Sequence, residues 1–203
     1  KHLILLFSVL FFLFAVSVSS GCFRKNESDV KSVVRNELDQ LKNLDSETTQ
    51  KYIPYTELFP DATENTDLTD EINKTFSLFF RKFNYKISDV IVGTANHSAT
   101  VSVKLTTIDS KVLARDFKAE LLRTQITESA QAQKGNIKDS SRSLEAHYLI
   151  LNHLLNTNDY DTAETDCNIQ LVNTGNDKKE KWKIQRTNSL EDDLVGGLIA
   201  DLA

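Results

Sequence analysis

The stretch Ala99-Thr100-Val101-Ser102-Val103-Lys104-Leu105-Thr106 decides the fold class of this 203-residue chain. Ala99, Val101, Val103 and Leu105 alternate with Thr100, Ser102, Lys104 and Thr106. A strict period of two with β-branched residues predicts a strand buried on one face. One apolar and one polar face is the pattern of an antiparallel sheet covered on one side. Just upstream, Tyr85, Ile87, Asp89 and Ile91 alternate with Lys86, Ser88, Val90 and Val92, and residues 93–97 make the turn. The two runs predict an antiparallel hairpin. A second hairpin follows the same logic. Ala163, Thr165, Cys167, Ile169 and Leu171 alternate with Glu164, Asp166, Asn168 and Gln170, residues 173–178 turn at Gly175, and Trp182 and Ile184 alternate with Lys181, Lys183 and Gln185.

Each hairpin needs a cover for its apolar face, and helical stripes supply it. Ser28 and Asp29 are placed to cap a helix running to Leu44, with Val30, Val34, Leu38, Leu41 and Leu44 at spacings of three and four. Asp45-Ser46 opens a short helix that Pro54 stops. Residues 55–66 read as a loop anchored inward by Leu58 and Phe59. From Thr69 the stripe Ile72, Phe76, Phe79, Phe80, Phe83 runs along one helix face. Leu113, Phe117, Leu121 and Ile126 mark the next helix, which residues 129–140 either extend or end in a loop. Leu144, Tyr148, Leu151 and Leu155 mark another, and residues 190–202 a short one interrupted at Gly196-Gly197. The predicted fold is therefore α+β: a four-stranded antiparallel sheet of two hairpins packed on amphipathic helices.

Lys and Arg number 24 against 29 Asp and Glu, a net charge of −5. That balance argues against nucleic acid as a partner, since phosphate neutralisation needs a basic face. Two Cys cannot build a disulfide scaffold, and the His residues are too scattered for a metal cluster. No Gly-rich phosphate loop, Gly-x-Ser-x-Gly or His-Glu-x-x-His is present, and no cofactor is implied. The acids between Asp61 and Glu71 lack the alternation and central Gly of a calcium loop. The run Lys178 to Lys183 around Trp182 is too short to signal a binding stripe.

The front end carries an address. Leu3 to Val18 is apolar save Ser8 and Ser17, follows Lys1-His2, and precedes Ser19-Ser20-Gly21-Cys22. This is the make-up of an export signal, and the run falls short of the ~20 residues of a membrane-spanning helix. Ser-Gly-Cys resembles the lipobox of bacterial lipoproteins, which implies cleavage before Cys22 and a diacylglycerol on its thiol; two acyl chains suffice for stable anchoring. An ordinary signal peptidase cutting after Ser20 is the rival. Residues 1–21 are thus read as a lipoprotein signal, 22–29 as a tether, and 30–203 as one domain, held at the extracellular face of the cell membrane. Asn26-Glu27-Ser28, Asn73-Lys74-Thr75 and Asn96-His97-Ser98 match the glycosylation pattern, which a bacterial source would leave unused.

The order of elements, with the strand from Ala99 followed by Asp109 and with Trp182-Lys183-Ile184 closing the last hairpin after a helical insert, resembles a group of Gram-positive lipoproteins of uncharacterised function. Their domains belong to the nuclear-transport-factor-2-like (cystatin-like) superfamily. The resemblance implies a strongly curved sheet wrapping helices into a cone. The chain is read as a non-catalytic surface domain that binds a small apolar ligand in the cone, an envelope component or another protein; the alternative, which the superfamily's enzymes imply, is isomerase- or cyclase-type chemistry with a buried Asp, His or Tyr, here Asp89 or a Tyr. A structural accessory of a surface complex is a third use.

Phe76, Phe80, Asp89, Tyr148 and Trp182 are the candidates to line such a pocket, against the plainer reading of the rings as core. Asp89 shares its alternation face with Tyr85, Ile87 and Ile91, and an inward carboxylate would have a raised pKa suited to a general base. If instead Val90 and Val92 face the core, Asp89 lies in water. His147 and His153, six residues apart, point to different helix faces and cannot share a metal as an i, i+4 pair would. Cys167 reads as an inert core thiol.

Overall fold

Burial along β2 (Ser98–Ile108) alternates as the sequence requires: Ala99, Val101, Val103, Leu105 and Thr107 are buried. The computed structural model describes residues 26–53, 58–59, 62, 68–93, 97–132, 143–175 and 181–203. Residues 1–25, with the apolar leader and Cys22, lie outside them, as do Pro54, Asn96 and Lys178.

In chain order the described elements are α1 (26–42), α2 (Ser46–Tyr52), α3 (Thr69–Phe79) with a 3₁₀ turn (Phe80–Lys82), β1 (Asn84–Val92), β2, α4 (Ser110–Ala132), α5 (Leu144–Thr157), β3 (Thr162–Asn173), β4 (Trp182–Ile184), α6 (Asn188–Leu194) and α7 (Leu198–Leu202). The fold is α+β, with a four-stranded antiparallel open sheet in the order β1-β2-β3-β4 packed against helices. Neighbours in sequence are neighbours in the sheet, and the helical insert α4–α5 joins the adjacent strands β2 and β3. Among the described residues, no helix is long and apolar enough to cross a membrane.

The chain divides into two compact units. The smaller holds 26–36, Ile87–Ser102 and Asn168–Gln185. Val30, Val34, Val92, Ala99, Val101, Ile169, Leu171 and Trp182 are its buried apolar residues. β4 pairs antiparallel with β3, Leu171 opposite Ile184 and Asn173 opposite Trp182. The polar face carries side-chain bonds across strands: Ser88 Oγ donates to the Ser102 carbonyl at 3.0 Å, Ser102 Oγ to Asn168 Oδ1 at 2.9 Å, and Thr100 Oγ1 to Gln170 Oε1 at 2.9 Å.

The larger unit holds Glu37–Lys86, Val103–Cys167 and Arg186–Ala203. Here α3 packs on α5, α5 on α4, and α4 on α7. Its termini are built by side chains the sequence already offers. Asp45 Oδ1 accepts from the Thr48 amide at 2.8 Å and starts α2, and Ser143 Oγ accepts from Ala146 N at 3.2 Å and starts α5. Leu58 and Phe59 are buried, the inward anchors expected of their loop.

Four expectations need correction. First, α1 is already helical at Asn26, so Ser28 and Asp29 are inside it and not its cap. Second, α1 does not reach Leu44. Leu44 sits at φ 62°, with its amide bonded to the Leu41 carbonyl and the Asp45 amide to the Gln40 carbonyl. That is a Schellman stop with Leu where Gly is usual, and it turns Leu44 outward, 43% exposed. Third, the α4 stripe runs out after Leu113 and Phe117. Ile126 is 61% exposed, because the helix continues past its last buried residue. Fourth, the alternation along β1 shifts by one residue: Tyr85 and Ile87 are half-buried, then Asp89 and Ile91 are exposed while Val92 is buried. Two of the glycosylation patterns are also closed off. Asn26 is buried, and Thr75 is 1% exposed with its hydroxyl donating to the Glu71 carbonyl inside α3.

Candidate functional site

Three of the five pocket candidates meet in the larger unit. Phe76 on α3 lies 6.4 Å, ring centre to ring centre, from both Phe80 and Tyr148. Phe80 continues edge-on to Phe79 and Phe83 at 5.4 and 5.3 Å. Tyr148 on α5 meets Phe59 edge-on at 5.4 Å, and Phe59 stacks on Phe117 at 5.2 Å. These are ordinary contact distances for aromatic pairs, which gain from edge-on and offset geometry beyond the area they bury. Each ring therefore lies within aromatic contact range of the next. All are buried, Tyr148 and Phe80 almost completely.

Beside this cluster, Leu44, Thr49, Asn73, Phe76 and Ser77 line a pocket of about 40 Å³. A water needs roughly 10–15 Å³ on the same measure, whereas pockets for metabolites run to hundreds of Å³. That volume has room for a few waters.

Asp89 and Trp182 belong to the smaller unit. Trp182 is buried at its pairing position on β4. Asp89 is exposed and does not take the inward position a raised-pKa general base requires. The shift in alternation along β1 is the reason: it sends Val92 to the core and leaves the carboxylate in water. The base that an isomerase or cyclase reading needs is therefore missing from the place proposed for it.

His147 is placed by the aromatic cluster instead of by a ligand. Its ring lies 4.9 Å from Phe59 and 5.7 Å from Phe117, and Nδ1 is 2.8 Å from the Ser143 carbonyl. His97 and His153 are exposed. Among the described residues, no group of three or more His, Cys, Asp or Glu could hold a metal ion.

Two groupings of ionisable side chains in the larger unit escaped the sequence reading, because each depends on α6. In the first, the carboxylate of buried Glu191 accepts two bonds from Arg186 at 2.6 and 2.8 Å. Tyr52 also senses the Arg186 charge. Its hydroxyl is buried without a hydrogen-bond partner, and burial raises its pKa, as does the nearby Glu37 carboxylate; Arg186 opposes both. In the second, the buried Cys167 thiol lies beside Asp193 and the two influence each other's titration. Burial pushes the thiol up to about 12, with Asp193 adding to the shift. A thiol so far from thiolate is a poor nucleophile, in keeping with the inert core role expected of it.

Asp193 is raised above the usual carboxylate range, chiefly by burial; Asp192 adds to this and the Cys167 thiol opposes it. An acid whose pKa is raised by folding holds its proton more tightly when folded. Its favourable contribution is complete below the unfolded value, about 3.9, and is lost as pH rises through the folded value. Asp193→Asn removes the ionised form, and with it a negative charge at the C-terminal end of α6, where the helix dipole disfavours it. The variant should unfold at a higher temperature than wild type at pH 7 and show no such gain at pH 3. Thermal unfolding at both pH values checks this; an equal difference at both would show that ionisation of Asp193 is not what matters.

Searches of protein-family models, curated proteins and solved structures return no match to this chain.

Proposed function

We propose that this is a lipid-anchored domain of a bacterial cell surface, tethered through Cys22, that works by contact between its outer surface and another molecule. The observation that supports surface contact is the close packing of the aromatic cluster. Phe76, Phe80 and Tyr148, the side chains that would have lined a cavity, are packed ring against ring, and the pocket beside them has a volume of about 40 Å³. The anchor rests on the sequence, where an apolar run ends in Ser-Gly-Cys.

One preparation tests both parts. The mature protein is purified from its host and weighed intact, first under denaturing and then under native conditions. The expected chain begins at Cys22, carries a diacylglyceryl group on the thiol, and has no small molecule retained in the native spectrum. An unmodified Cys22 ends the anchor. A stoichiometric apolar ligand released on denaturation ends the surface-contact reading.

A further inference from the structure

Among the described residues, nothing pairs with the outer edge of the front of β3. Along the larger unit's part of the strand, 162–167, the backbone of the odd-numbered residues faces β2; the Asp109 amide donates to the Asp161 carbonyl at 2.9 Å, and burial alternates onward without a slip. In an antiparallel ladder, successive residues turn their N–H and C=O to opposite sides. The backbone groups of Thr162, Glu164 and Asp166 therefore face away from β2. β4 is only three residues long and pairs with Leu171–Asn173, at the other end of β3. Among the described residues, none bonds the amides of Thr162, Glu164 or Asp166 from that side, and all three residues are exposed.

Such an edge is a template for another strand, and its side chains say which kind. Glu164 and Asp166 project on the same face, with side chains 62% and 86% exposed. Among the described residues a single cation, Lys104 on β2, serves both, at 3.2 and 3.6 Å. The edge so keeps a net negative charge. A second copy pairing antiparallel about Thr165 would set Glu164 opposite Asp166, like charge on like, which disfavours it. An incoming strand with Lys or Arg at alternate positions places cations opposite both carboxylates. We infer that the edge of β3 at residues 162–166 accepts an extended basic polypeptide segment as an added strand. The inference deepens the surface-contact reading and rests on it.

The test uses the full chain and a fluorescent heptapeptide of alternating lysine and valine, with the glutamate–valine peptide as control. The lysine peptide should bind at least about tenfold more tightly than the glutamate one. Asp166→Asn should weaken binding a few-fold. Asp166→Pro should abolish it, because proline removes an amide that β2 does not use, a position where an edge strand admits proline. On adding the peptide, hydrogen exchange should slow at the amides of Thr162, Glu164 and Asp166 and stay unchanged at Ala163 and Thr165; this readout needs no variant and stands even if Asp166→Pro fails to fold. Equal binding of both peptides, undiminished binding to a folded Asp166→Pro, unaltered exchange at the edge amides, or no saturation up to ~1 mM peptide each overturns the inference. Failure here leaves the mass of Cys22 and the native spectrum as they were, while an unmodified Cys22 leaves the peptide titration as it was.

Discussion

Phe80→Ala should lower the free energy of unfolding by about 3–5 kcal/mol, the range for truncating a buried phenylalanine. Phe80 is 1% exposed and opens the 3₁₀ turn between α3 and β1. Its ring meets Phe76, Phe79 and Phe83. Alanine strips contacts from three neighbours at once. Surrounding side chains relax only partly into such a gap, so a cavity cost adds to the lost transfer energy. Set against a typical total of about 5–15 kcal/mol, the loss is a large share of stability. Urea denaturation followed by circular dichroism should show a lower midpoint at unchanged slope. Ile126→Ala, at a position 61% exposed on α4, serves as the control and should change stability by less than about 0.5 kcal/mol. A Phe80→Ala effect below about 1 kcal/mol would mean that the aromatic cluster is not the mechanical centre of the larger unit.

Gly196→Ala should cost roughly 2–4 kcal/mol, from left-handed backbone strain together with overpacking. Gly196 lies at φ 65°, just after α6. Its amide bonds to the Asp193 carbonyl and the Gly197 amide to the Asp192 carbonyl, the Schellman pattern that ends a helix. A Cβ at this position would collide with the Thr107 hydroxyl on β2, a buried side chain with little room to retreat. Gly197, at φ 90°, has the same kind of backbone, but its added Cβ would meet Ser110 and Asp201 at 3.7 and 3.8 Å, ordinary contact. Gly197→Ala therefore suffers the strain without the collision and should cost less. Thermal unfolding of the two variants side by side checks the order. A Gly197→Ala as damaging as Gly196→Ala would falsify the claim that close approach to β2, and not backbone conformation alone, selects glycine at 196. The Ser110 hydroxyl, within hydrogen-bond distance of both the Gly196 carbonyl and the Asp201 carboxylate and able to donate to one of them at a time, binds the same corner from the other side.

The α+β class was legible because it depends on local periodicity. The alternation from Ala99 to Thr106 can face only one way without burying polar side chains. The Phe76–Phe83 stripe, the Asp45 start of α2 and the glycine pair ending α6 are likewise short-range signals, and the structure places each where its neighbours in sequence imply; that Ser143 and not Ser141 caps α5 was settled by the structure. The partners of the rings were not legible. A stripe of rings reads the same in sequence whatever it packs on, and contact between α3 and α5, which are far apart in the chain, is what brings Phe76 to Tyr148.

By itself, then, the amino-acid order determined which segments become helix and strand and which face of each is greasy, since those follow from side-chain spacing within a few residues. Tertiary structure alone decided that Asp89 looks outward, that Leu44 turns back as a helix stop, that α4 outruns its buried face, and that the three-residue β4 pairs with the far end of β3. Each of these depends on how far a neighbouring element reaches, a quantity set by packing between segments distant in the chain, which no local period encodes.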